Sequence, residues 1–262
     1  MVMNMGNMEL DMQLKNSSAI MQPTFMPWVG YFDLINSVDK FVFLDDVQLT
    51  KRSWQVRNKV KTSNGEHFVT IPIEKTKHRN EITINEAKIN QTDWKEKFLK
   101  VVQYNYKKSK YYDLIYPFLL ELLQFNSNIL SSFNINMIVS ISEKLNMKTE
   151  FIKSSDLQNI HGVKDGRLVN ICKAIDSNFY LSPQGSATYI ESVNPGGEFA
   201  LNNIELFYHN YEPVEYNQLY GQFLPYMGIF DLLFNEGFES SKSIILAGHK
   251  ESIYYKEYKK GI

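Results

Sequence analysis

The sequence predicts an α/β fold: a mainly parallel sheet with flanking helices and a central helical insertion. Three observations point there. A strand, a loop, a helix and a second strand follow one another within about 30 residues near the start, the βαβ pattern of a parallel sheet. Helical spacing then runs from Thr92 to about Met147, and strand–helix alternation returns after it. No linker rich in Pro, Gly or Ser interrupts the 262 residues. The expected organisation is therefore a loose leader over residues 1–18 and a single α/β domain over residues 19–262.

Each element has its own signal. Ser18 to Met21 reads as a short strand that stops at Gln22-Pro23, followed by a loop stiffened by Pro23 and Pro27. Tyr31, Leu34, Ile35 and Val38 then fall at helical spacing. Phe41 to Val47 is a continuous apolar run ending in two carboxylates, as expected of a strand buried on both faces. His67 to Ile73 reads as a strand entered through the Asn64-Gly65 turn, and Ile82 to Ile89 alternates like an edge strand. The helical insertion carries Trp94, Phe98, Val101 and Val102 on one face, Leu119, Leu122 and Leu123 after Pro117, and a third helix from Asn134 to Leu145. Further on come a strand at Lys148–Lys153, a helix at Arg167–Ile175, and strands at Phe179–Leu181 and Ile204–Tyr208.

Composition excludes several classes of function. A net charge of -1 gives no whole-chain attraction to nucleic acid or anionic membrane, so neither is an expected partner. The single cysteine, Cys172, excludes an internal disulfide and fits a reducing, cytoplasmic compartment. It shares an apolar stripe with Leu168, Ile171 and Ile175, a core position rather than a nucleophile's. No apolar run approaches the roughly 20 residues that span a bilayer, and the Met- and Asn-rich start lacks the form of a signal peptide. The histidines show no HxH or HxxxH spacing, which argues against a zinc site.

The densest chemical signal is DDVQLTKRSWQVRNKVK, Asp45 to Lys61. Lys51, Arg52, Arg57, Lys59 and Lys61 crowd five cations into eleven residues, with Asp45 and Asp46 just upstream. Arginine grips phosphate or carboxylate through a planar fork, and lysine acts as a point charge. Asp45 and Asp46 could hold Mg²⁺, orient the arginines or accept a proton, while Trp54 could stack on a ring. A solvated charged hairpin is the plainer reading, against which stand Trp54 and the amides Gln48, Gln55 and Asn58. Around the first loop, Gln22, Trp28, Gly30 and Tyr31 frame a helix entrance where backbone N–H groups attract anions. His78, among Lys75, Lys77 and Arg79, is a candidate general base or an exposed turn residue. Late in the chain, Ser182 sits at a strand end, and Tyr216, Gln218 and Asp231 lie in an aromatic segment. Asp231 and Asn235 share a helix face, to cap backbone or to line a cleft.

Taken as one block, AIMQPTFMPWVGYFDLINSVDKFVFLDDVQLTKRSWQVRNKVK and the later TIPI, YLSPQGSATYI and YNQ…F…DLLFNEG segments resemble the WbqC-like family. The matching residues are Gln22, Pro23, Pro27, Trp28, Gly30, Tyr31, Asp45, Asp46, Gln48, Lys51, Trp54, Arg57 and Asn58. Leu49 replaces a usual aromatic, and Gly228 stands where Ser is common. The resemblance implies a tailoring enzyme of surface-polysaccharide (O-antigen-type) biosynthesis. It would act on a nucleotide-activated or carrier-linked amino sugar, by acyl or aminoacyl transfer from an activated acyl donor. The resemblance carries no residue roles; from the residue chemistry itself, Arg57 and Lys51 would hold a diphosphate, Trp28 and Trp54 would shape the pocket, and Asp45, Asp46 or His78 would take the proton. A fold-level analogy to HIGH-type nucleotidylyltransferases, whose histidines are absent here, gives a Mg²⁺-dependent alternative. A non-catalytic sugar-nucleotide-binding protein is the third reading.

One oddity remains. FMPWVGYFDL (Phe25–Leu34) and FLPYMGIFDL (Phe223–Leu232) share six of ten positions, 198 residues apart. The charged hairpin follows only the first, so they do not mark a simple duplication. Either the likeness is chance, or both helix entrances face one cleft, with Trp28 on one wall and Tyr226 on the other.

Overall fold

The computed structural model describes residues 16–50, 52–75 and 82–258. Strand β1 (Ser17–Met21) leads through the Pro loop into helix α1 (Val29–Asn36) and strand β2 (Lys40–Phe43). A separate hairpin follows, β3 (Arg57–Thr62) against β4 (Gly65–Thr70). Helices α2 (Trp94–Tyr106), α3 (Tyr112–Leu123) and α4 (Leu130–Lys144) form the central insertion. Then come β5 (Glu150–Lys153), α5 (Lys164–Ala174), β6 (Phe179–Pro183), the short α6 (Ala187–Ile190) and α7 (Gly197–Leu201), and β7 (Glu205–Tyr211). Helix α8 (Ile229–Ala247), kinked at Gly237, and strand β8 (His249–Tyr254) close the described chain.

Six strands make one sheet in the order β5-β2-β1-β6-β7-β8, parallel except for the β7–β8 pair. Numbered along the chain without the hairpin this is 3-2-1-4-5-6, the strand order of doubly wound nucleotide-binding sheets. The chain leaves β1 toward β2 and β5, then returns to the other side at β6. Ligands in such sheets gather outside the carboxyl ends of the strands at that reversal. Here those ends are Met21-Gln22 and Pro183-Gln184.

The continuous apolar runs have a direct cause. Phe41 and Phe43 bury toward α1, α4 and α8, while Val42 between them buries toward α5, with Ile20, Tyr180, Leu206 and Tyr208. Both faces of the sheet are covered, so no position needs to be polar. Each fully buried side chain of this kind contributes roughly 1.5–3 kcal/mol.

Several expectations are corrected. Of the leader expected over residues 1–18, residues 1–15 lie outside the described residues, and Ser17 and Ser18 belong to β1. Strand β2 ends at Phe43, not Val47, because the Asp45 N–H turns back to the Phe43 carbonyl. Residues 82–89 form no continuous edge strand: Thr83 and Glu86 close a side-chain turn, leaving isolated bridges at Thr83, Lys88 and Ile89. Helix α3 runs through Pro117. Pro inside a helix costs about 3 kcal/mol, and five buried residues, Ile115, Phe118, Leu119, Leu122 and Leu123, outweigh it. Strand β8, unforeseen in the sequence, caps the far edge of the sheet. No helix among the described residues is long and apolar enough to cross a membrane.

Cys172 is buried in α5 with its sulfur 3.7 Å from the Ser18 hydroxyl, and burial pushes its thiol up to about 12. A thiol reagent at pH 8 should therefore leave the native chain unlabelled and titrate one thiol after denaturation. Rapid native labelling would contradict this packing.

Candidate functional site

A cleft of about 370 Å³ opens beside the carboxyl end of β1, at the entrance of α1. Its walls include Trp28, Tyr31, Trp54 and Tyr226, with Asn58 and Lys59 as polar neighbours. The sequence builds it through backbone constraints. Met26 adopts φ 45, a left-handed conformation that side chains other than Gly avoid. It is held there by Asn58, whose amide donates to both the Phe25 and the Met26 carbonyls at 2.9 and 2.7 Å. Gly30 is needed because the Trp28 indole folds over it: a Cβ there would lie 2.3 Å from the ring. Tyr31, fully buried, donates its hydroxyl to the Gln22 carbonyl at 3.0 Å, and burial raises its phenol well above the usual range.

The two similar decapeptides meet in space. Trp28 pairs with Gly228 in an isolated antiparallel bridge, the Ile229 N–H donates to the Pro27 carbonyl, and the Trp28 and Tyr226 rings lie 5.2 Å apart. Their structural correspondence is not the sequence one. Met26 matches Tyr226, both at positive φ, and the N-cap residue Trp28 matches the N-cap Gly228. The spatial offset is thus 200 residues, two more than the sequence alignment, which puts Gly30 inside its helix and Gly228 before its own.

The remaining candidates fall into separate groups. Asp45 is buried and accepts hydrogen bonds from the Ser155 N–H, the Ser155 hydroxyl and the Ser154 hydroxyl. Asp46 accepts from the Ser154 hydroxyl at 2.6 Å and pairs with Arg167 at 2.5 Å. These contacts tie the end of β2 to the turn after β5, and neither acid lines the cleft. Arg57 places its guanidinium 4.5 Å over the Phe68 ring, and Phe68 in turn contacts half-exposed Trp54. The Arg57 Nε is buried without an acceptor. Lys59 pairs with Glu66 at 2.8 Å. Arg52 is exposed, at φ 55. Gln22 bonds to Gln55, Gln48 bridges to Thr83, and Ser182 is wholly buried at the end of β6. Lys51 and His78 lie outside the described residues.

Tyr216, Gln218 and Asp231 do come together, as a buried hub. Asp231 accepts from the Tyr106 hydroxyl at 2.7 Å, the Tyr216 hydroxyl at 2.8 Å and the Gln218 amide at 2.7 Å. Buried Lys61 reaches the same Gln218 at 3.0 Å. Burial raises the Asp231 carboxyl and lowers the Lys61 ammonium, each partly countered by the other's charge. Asn235 donates to the Asp231 carbonyl along the helix. The hub moors the loop after β7 to α8 and β3.

One constellation escaped the sequence reading. Buried Asp33 on α1 receives His209 of β7 at 2.7 Å and His249 of β8 at 2.9 Å, both on the same oxygen. The two histidines stand 40 residues apart on neighbouring antiparallel strands, so no local spacing reveals them. The Tyr211 ring stacks near His209 and touches the Trp28 indole, linking this cluster to the cleft wall.

Two substitutions test these contacts. Asp231→Ala leaves two buried hydroxyls and an amide without their acceptor. It should cost about 3–5 kcal/mol in urea unfolding; a loss below 1 kcal/mol would contradict the hub. Gly30→Ala should expel the Trp28 indole, read as a red-shifted tryptophan emission with the fold retained.

Residues 22–243 match the sequence profile of the WbqC-like protein family. The uncharacterized protein Rv1507c of Mycobacterium tuberculosis (strain ATCC 25618 / H37Rv) is 34% identical over 226 residues, which cover 85% of this chain and 94% of that protein. No solved structure matches significantly. The chain thus belongs to the WbqC-like protein family, a membership that fits a polysaccharide-related role.

Proposed function

We propose that the protein binds a nucleotide-activated or carrier-linked amino sugar in the aromatic cleft and transfers an acyl or aminoacyl group to it, in surface-polysaccharide (O-antigen-type) biosynthesis. The observation that carries the reading is the cleft itself. Four aromatic side chains, Trp28, Tyr31, Trp54 and Tyr226, line it where a doubly wound sheet gathers ligands. Its volume of about 370 Å³ falls in the roughly 300–1,000 Å³ range of small-molecule sites. Flat aromatic faces suit a sugar or base ring, and Asn58 and Lys59 add polar contacts. Arg57, whose buried Nε lacks an acceptor, stands next to Trp54 through Phe68. With Lys51 it would grip the diphosphate. In the transfer step the sugar amine attacks the activated acyl carbon, a C–N bond forms, the bond to the leaving group breaks, and the amine proton passes to a base. Asp45, Asp46 and His78 are the candidates for that base.

A second reading, Mg²⁺-dependent nucleotidyl transfer, is favoured by one observation, the 3-2-1-4-5-6 strand order with the cleft at the entrance of the first helix. It predicts activity that vanishes on chelation and returns with Mg²⁺.

Calorimetric titration with nucleoside-diphosphate amino sugars tests the main reading. Trp28→Ala or Tyr226→Ala should each weaken binding about tenfold, the scale of one lost ring stack. Unchanged affinity after combined Arg57→Ala and Lys51→Ala would remove the diphosphate grip. Saturable binding without an acylated product by mass spectrometry would point to a binding protein instead.

A further inference from the structure

We propose that Asp33, His209 and His249 form a binding site for one divalent transition-metal ion of the Zn²⁺ type, with its fourth position open to solvent. One ligand atom from each of the three residues lies within 4.8 Å of the other two, and His209 Nε2 and His249 Nδ1 both contact Asp33 Oδ2. They converge from three elements, α1, β7 and β8, with a register shift in the β7–β8 pair between Tyr208 and Asn210, where His209 sits.

The Asp33 carboxylate argues independently for a cation. Asp33 is 0% exposed, and its Oδ1 is buried with no hydrogen-bond partner. A buried acceptor left without a donor costs about 1–3 kcal/mol, more when charged. The other buried acids do better: Asp45 and Asp231 have donors on both oxygens. Both donors of Asp33 instead crowd one oxygen. A divalent ion held between Asp33 Oδ2 and the two imidazoles would offset the charge of a carboxylate that is buried with hydrogen bonds on one oxygen only.

The donor set selects the metal class. Two imidazole nitrogens and one carboxylate oxygen suit Zn²⁺ and its neighbours, while Mg²⁺ and Ca²⁺ take oxygen ligands. Separations of 2.7 and 2.9 Å are hydrogen-bond contacts. Ligands each about 2.0–2.2 Å from a tetrahedral ion stand about 3.3–3.6 Å from one another, roughly half an ångström or more further apart. His249 can make that shift, since it begins its strand and is 41% exposed. Gly248 before it packs so closely on Tyr211 that a Cβ would lie 2.4 Å from the ring.

Metal-stripped protein titrated with ZnCl₂ against a chromophoric chelator tests this without any assay of activity. One Zn²⁺ per chain is expected, with no comparable response to Mg²⁺. His249→Ala and His209→Ala should each weaken Zn²⁺ binding by more than the roughly 10–100-fold that outer-shell partners cost. Half-exposed His249 can be replaced with the fold intact, checked by equal melting of metal-free variant and parent. Combined His67→Ala, His78→Ala and His161→Ala should leave the stoichiometry unchanged. Absence of stoichiometric Zn²⁺ at micromolar concentration, or wild-type binding by His249→Ala, would overturn the site and leave a hydrogen-bonded Asp–His cluster. Neither result bears on sugar binding in the cleft, so the two readings fail separately.

Discussion

Everything at the mouth of the cleft hangs on one set of hydrogen bonds, from the Asn58 side chain and from backbone N–H groups, joining three distant segments. Asn58 donates to the carbonyls of Phe25 and Met26 and accepts the Lys59 N–H. The Lys59 carbonyl takes the Gly228 N–H, and the Pro27 carbonyl takes the Ile229 N–H. Each such bond is worth only about 1 kcal/mol net, but leaving one of these groups unpaired costs about 1–3 kcal/mol. The set therefore behaves as a unit: displacing any strand of it orphans partners in the other two. That cooperativity is what holds Met26 at its unfavourable positive φ and fixes the distance between the Trp28 and Tyr226 walls.

Three buried carboxylates show how the fold handles charge it cannot expose. Asp45 uses serine hydroxyls and a backbone N–H to fasten the end of β2 to the turn after β5. Asp231 uses two tyrosines and an amide, with Lys61 nearby, to moor the loop that carries Tyr226. Both are anchoring devices whose hydrogen bonds are complete. Asp33 differs: it is as deeply buried as either, yet one of its oxygens is left bare. Incomplete satisfaction at full burial marks the position where a ligand does more than another protein contact could. The aromatic content has a similar division, since most rings pack in the core while Trp28, Trp54 and Tyr226 line the cleft.

Much of the fold was legible because its signals are local. A strand covered on both faces must be apolar throughout, so Phe41 to Phe43 announces itself, as do the helical stripes of Trp94 to Val102 and Leu168 to Ile175. The failures have equally local causes. Alternation over residues 82–89 imitates a strand, but the Thr83–Glu86 turn removes backbone groups from any ladder. Pro117, a residue that disfavours a helix interior, is accommodated in α3 by five buried neighbours. Of the candidate site, Trp28, Gly30, Tyr31, Trp54 and Asn58 were marked by their place around a Pro loop and a basic hairpin. Asp45 and Asp46 were marked equally strongly and turn out to face Ser154, Ser155 and Arg167.

By itself the sequence determined the α/β class, the family, the stiff helix entrance and the residues that crowd it, because these depend on neighbours within a few turns or strands. The tertiary structure alone decided which distant residues meet. The two decapeptides pair with an offset of 200 residues because backbone hydrogen bonding, not side-chain identity, sets their register. His209, His249 and Asp33 converge because β8 returns antiparallel beside β7, above α1. Periodicity records which face of an element is buried; it carries no record of which other element will cover it.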